Sequence, residues 1–139
     1  MENQVTSIEQ SKRLIDLGVP ADKASMVWEW GWVCGTVDEE NYELKIWQEC
    51  KMDKILAYQE FPESFIPAFT VADQQELLPV FIDAKGTFYL NISKCYEGWY
   101  VSYETESGAE LISHRGIKLV DVLMDATEWL LSNGYKLNI

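Results

Sequence analysis

Residues 116–139 read GIKLVDVLMDATEWLLSNGYKLNI. Apolar side chains recur at Leu119, Val122, Leu123, Ala126, Trp129 and Leu130, the three-then-four spacing of a single helix face. Asp121, Asp125, Glu128 and Ser132 fall on the opposite side and are expected to face water. Gly134 follows Asn133 where the pattern stops, and glycine there can take the left-handed conformation that closes a helix. Tyr135, Leu137 and Ile139 then alternate with Lys136 and Asn138, which predicts a short terminal strand. Six buried side chains at roughly 1.5–3 kcal/mol each make this helix dependent on a sheet to lie on.

Upstream of it the chain supplies that sheet. Val80–Ile82, then Phe88, Leu90 and Ile92, then Trp99, Val101 and Tyr103 alternate with polar neighbours, and turns fall at Asp83–Gly86 and Glu97–Gly98. Glu104–Glu110 is a polar loop, and Ala109–Ser113 adds a further strand. A short-looped meander followed by one long helix predicts an α+β fold: an antiparallel sheet packed against the C-terminal helix, with two shorter helices elsewhere. The 139 residues are read as a single domain, 1–139.

The N-terminal half is more mixed. Thr6-Ser7-Ile8-Glu9 has the form of a capping box and predicts a helix from Ser7 to about Leu17, stopped by Gly18. Val27–Gly35 alternates as a strand with Trp28, Trp30 and Trp32 on one side. Asp38–Asn41 reads as an acidic turn, Asn41–Cys50 as a strand, Lys51–Lys54 as a turn and Lys54–Gln59 as another short strand. Pro62 and Pro67 argue against regular structure between them. Thr70 predicts the cap of a short helix, Val71–Leu78, with Asp73 in the reciprocal position.

Composition narrows the function classes. Asp and Glu number 23 against 11 Lys and Arg, a net charge of −12. Phosphate neutralisation needs clustered cations, so direct binding to nucleic acid or to an anionic membrane is not expected. A basic protein partner, or imitation of a nucleic acid toward a DNA-binding protein, is compatible. No run approaches the 20 or so apolar residues of a membrane span, and the polar start, MENQVTSIEQ, lacks a signal-peptide core. Three widely spaced cysteines, Cys34, Cys50 and Cys95, predict a reducing cytoplasm rather than a disulfide scaffold. Close metal-ligand pairs are absent from the sequence, and no cofactor is expected.

Three segments together carry a family resemblance. They are Thr6–Leu14 with Leu17-Gly18; Ile66–Asp73 with Glu76–Pro79; and Asp125-Ala126 with Trp129–Tyr135. They resemble small uncharacterised proteins encoded in gut Bacteroidetes genomes, prophages and related mobile elements. The resemblance implies an intracellular bacterial or phage protein and carries no catalytic residues. Separately, the order of elements over Phe88–Leu131 is similar to that of the partial RNase-H-like domain of HicB-type antitoxins, an analogy of fold alone.

Five residues stand out as a candidate binding set. Trp28, Trp30 and Trp32 are either core or an aromatic platform for a partner. His114 and Arg115 precede the long helix, where free N–H groups favour an anion. Three functions are expected in order: a non-enzymatic protein-interaction protein, an acidic nucleic-acid mimic, and a small hydrolase pairing a cysteine with His114.

Overall fold

The computed structural model describes residues 4–30, 42–47 and 51–139. They form two compact units, Gln4–Asp73 and Gln74–Ile139. Each contains an antiparallel sheet with helices, so the expected α+β class holds, and the long C-terminal helix packs on the sheet of the second unit.

The first unit opens with helix α1 (Ile8–Asp16). Its capping box lies one residue later than the sequence predicts. The Ser7 hydroxyl accepts from the Gln10 N–H at 3.1 Å, and the Gln10 side chain accepts from the Ser7 N–H at 3.0 Å. Glutamine serves the reciprocal role as well as glutamate does. Thr6 cannot cap because it is fully buried and engaged elsewhere. Its hydroxyl accepts from the Phe69 N–H at 3.0 Å and lies 2.7 Å from the Ser11 hydroxyl. Gly18 and Val19 close the helix by donating to the Ile15 and Leu14 carbonyls.

Strand β1 (Met26–Trp30) is central, flanked by β2 (Tyr42–Ile46) and β3 (Phe65–Ala68), all antiparallel. Trp28 stands opposite Leu44 and Ile66. Val5, Met26 and Ala68 are buried together, and Trp28 and Leu44 pack against them. Pro67 does not prevent β3 from forming, because β3 is an edge strand and a proline there costs no ladder bond on the open side.

The expected turn and strand over 51–59 is instead helix α2 (Lys51–Glu60). The stretch KMDKILAYQE is rich in strong helix formers, and that propensity outweighs its short apolar alternation. The Lys54 ammonium donates to the Ala24 carbonyl at 3.1 Å and lies 5.7 Å from the centroid of the buried Trp47 ring.

Helix α3 (Val71–Leu77) has the predicted reciprocal cap. The Asp73 N–H donates to the Thr70 hydroxyl at 3.1 Å, and the Thr70 N–H to the Asp73 carboxylate at 2.9 Å. That carboxylate also accepts from the Ser25 N–H at 2.8 Å and the Ser25 hydroxyl at 2.6 Å. One side chain thus caps a helix and fixes the entry to β1.

The second unit is the predicted meander. Strands β4 (Phe81–Asp83), β5 (Thr87–Cys95), β6 (Gly98–Glu104) and β7 (Glu110–Gly116) lie in that order, each antiparallel to the next. Helix α4 (Leu119–Ser132) lies over β6 and β7. Gly116 abuts Val122, and its cross-strand partner is Trp99. Trp99, Val101 and Tyr103 therefore share the helix-covered face. The predicted apolar face of α4 is buried at Leu119, Val122, Leu123, Ala126 and Leu130, and Val120, Met124 and Thr127 join it. Trp129 is half-buried and stacks on Tyr135, ring centroids 5.7 Å apart at 23°.

Gly134, at φ +80°, ends α4 as the sequence predicts. Gly134 and Tyr135 donate to the Leu131 and Leu130 carbonyls, a Schellman closure. The strand expected after it does not form. Asn138 instead donates from its backbone to the Leu77 carbonyl at 2.8 Å, and from its amide to the Leu78 and Glu76 carbonyls at 3.0 and 3.3 Å. It satisfies the carbonyls that α3 leaves open at its end. Among the described residues, no helix is long and apolar enough to cross a membrane.

Candidate functional site

The tryptophan ribbon divides once its positions are known. Trp28 belongs to the packing of the first unit, and its indole N–H donates to the Thr6 carbonyl at 3.0 Å. Trp30 is half-buried at the end of β1 and lines a small groove of about 200 Å³ with Glu29, Phe61, Ser64 and Phe65. Phe61 and Phe65 meet edge to face at 6.4 Å, and Phe61 remains 54% exposed. Trp32 lies outside the described residues, as do Cys34 and Cys50.

His114 and Arg115 are adjacent in sequence yet point to opposite sides of the second sheet, as neighbours in a strand must. Both lie within β7, which runs on to Gly116, and α4 begins only at Leu119 with Lys118 as a cap that makes no side-chain bond. The anion site expected at the start of the helix is therefore not assembled by these two residues. His114 pairs across the ladder with Val101, on the face that α4 covers, and its Nε2 is buried with no hydrogen-bond partner among the described residues. Asp125 of α4 lies within electrostatic reach of it. Burial pushes the Asp125 carboxyl above the usual aspartate range; His114 opposes this, and Glu128 and Asp121 add to it.

Arg115 faces the other way. Its guanidinium lies 5.0 Å from the Tyr100 ring centroid, and the Tyr100 hydroxyl donates to the Glu110 carboxylate. Beside it is a cleft of about 490 Å³ at the end of the sheet, between the β5–β6 turn and the exit from β7. Trp99, Arg115 and Gly116 form part of its wall, and Cys95, Tyr96, Glu97 and Ile117 the rest. Tyr96 is fully exposed and Ile117 is 83% exposed. The Lys94 ammonium lies 5.7 Å from the Trp99 ring centroid. Two cation–aromatic pairs thus sit at one end of this sheet, Lys94 with Trp99 on the helix-covered face and Arg115 with Tyr100 on the other.

Sequence reasoning named Arg115 and missed the rest of this cleft. Tyr96 and Ile117 belong to a turn and a connection, where no periodicity marks a residue as exposed by design. A usable signal was present: a large aromatic beside Glu97-Gly98 in a tight turn has little core to enter. Cys95 continues the β5 face of Tyr89, Asn91 and Ser93, opposite the face that carries His114. That placement separates Cys95 from His114 as a nucleophile–base pair. Among the described residues, no group of three His, Cys, Asp or Glu side chains is disposed to hold a metal ion.

No family model matches the chain, no curated protein matches its sequence, and no solved structure matches its fold.

Proposed function

We propose that this chain works by binding a protein partner rather than by catalysis, as an intracellular accessory protein of the phage or mobile-element kind that its sequence resembles. The observation that carries the reading is the rim of the β5–β6 cleft. Exposed Tyr96 and Ile117 stand there beside Trp99 and Arg115. Aromatic residues and arginine are the side chains most enriched where binding energy concentrates. The Trp99 ring has the Lys94 ammonium against it and the Arg115 guanidinium packs on Tyr100, contacts that restrain these rim side chains and lower the ordering cost of association. The Trp30–Phe61 groove is a second, smaller aromatic surface of the same character.

The test is affinity capture from a lysate of the source cell, followed by titration of the recovered protein. Wild type is compared with Tyr96→Ala, Ile117→Ala and Trp30→Ala. All three residues are at least partly exposed, so the variants should fold. Truncation of Tyr96 or Ile117 is expected to weaken binding by roughly tenfold, about 1.4 kcal/mol, and that of Trp30 by more than about 1 kcal/mol if the groove also engages. A partner whose affinity survives all three substitutions would refute the reading.

A further inference from the structure

Strand β7 is the outer strand of its sheet and pairs with β6 alone. Among the described residues, no backbone hydrogen bond outside that ladder reaches Glu110–Gly116. Its sequence, ELISHRG, contains no proline and no lysine, the residues that most often blunt an edge. The one irregularity in the ladder is at its far end, between Tyr103 and Glu104, and leaves Ile112–Gly116 in regular register. Such an edge offers a row of donors and acceptors to an added strand.

Helix α4 gives this edge a charge. It lies over β6 and β7, with Val122 against Gly116 and, one turn on, Asp125 near His114. Asp121 and Glu128 lie four residues before and three after Asp125 on the side of the helix turned from the core, and both act electrostatically on it. The Cβ atoms of residues so spaced are roughly 5–6 Å apart. Side chains on one face of a strand repeat every 6.6 Å or so. A long side chain of an added strand beside His114 is therefore directed toward Asp125, with the two neighbouring carboxylates a turn away on either side. The chain's net charge of −12 acts in the same direction, drawing cationic partners from a distance.

We propose that the β7 edge takes an extended basic segment of a partner protein as a fifth strand, its alternate lysine or arginine side chains directed at Asp121, Asp125 and Glu128. This rests on the reading of the chain as a protein-interaction protein, and adds a second surface to the cleft. Backbone bonds to β7 supply affinity, and the carboxylates select the sequence.

The probe is a capped octapeptide alternating lysine and valine, titrated into the full isotope-labelled chain and followed by amide NMR. A twin peptide N-methylated along its backbone keeps the charge and loses the donors. The intact peptide is expected to shift the amides of Glu110–Gly116 and protect them from exchange. Asp121→Asn with Asp125→Asn should weaken it about tenfold. Glu128→Gln provides a separate readout and should weaken it several-fold. Equal binding of the N-methylated twin would overturn the proposal, leaving only charge attraction. So would β7 amides that stay unmoved under excess peptide. So, too, would β7 amides that become protected with rising protein concentration alone, since the edge would then be taken by a second copy of the chain. A failed titration alongside partner capture that depends on Tyr96 removes the edge and leaves the interaction reading standing. A failed capture removes that reading whatever the peptide does.

Discussion

A methyl group at Gly98 would sit 2.3 Å from the Gly116 carbonyl oxygen and 2.9 Å from the Ile117 Cα. The residue also has φ +143°, where side chains are strained. Backbone therefore meets backbone here, and nothing flexible can yield. Gly98→Ala is expected to destabilise the protein by about 3 kcal/mol, measured by urea unfolding. Gly108→Ala serves as the control, since a methyl there meets nothing within 4 Å and only the backbone cost at φ +91° remains. His114 and Arg115 make a related point at this scale. The sequence placed them together, and the strand turned them apart. Of the two, Arg115 lines the cleft.

Among the elements, the cap of α3 carries the most. Asp73 accepts from Thr70 and twice from Ser25, and is 9% exposed. Asp73→Ala would leave three donors without their acceptor and is expected to cost about 3 kcal/mol. Ser7→Ala removes a single exposed cap from α1 and should cost about 1 kcal/mol. Chemical denaturation of both variants checks the ordering, and equal losses would count against it. The same elements mark what the sequence made legible. The α4 face and its glycine closure were readable because the twelve residues from Leu119 to Leu130 keep one helical periodicity and leave one answer. The α3 cap was readable because its partners are three residues apart. The Ser25 contact was not, since it joins positions 48 apart and no local pattern encodes it. Helix α2 was misread because six residues of alternation weigh less than ten of helix propensity. The residues after Gly134 alternate as a strand does, but Asn138 spends its donors on the end of α3. Of the candidate site, Arg115 was legible as a cation near a terminus. The cleft around it was not, because its depth is made by a turn and a connection from two ends of the sheet.

Across the whole molecule, ionisation sets the limits of stability. The buried Tyr103 donates to the Pro79 carbonyl at 2.7 Å, and burial pushes its phenol well above the usual tyrosine range. The folded chain keeps that proton at pH values where the unfolded chain, titrating near 10, has lost it. The folded state then binds more protons, so stability is fully present below about pH 10 and falls as pH rises beyond it. Thermal melts from pH 8 to 11 should show this fall. Tyr103→Phe should flatten it, at a cost of about 1 kcal/mol at neutral pH for the lost hydrogen bond. An unchanged slope in the variant would assign the fall to other groups. Beyond stability, the stacking of Trp129 on Tyr135 has an optical consequence. An indole and a phenol held rigidly at van der Waals range share their ultraviolet transitions, and the coupled pair rotates polarised light as neither ring does alone. The near-ultraviolet circular dichroism of this chain is therefore expected to carry a band that reports whether the last turn of α4 is closed.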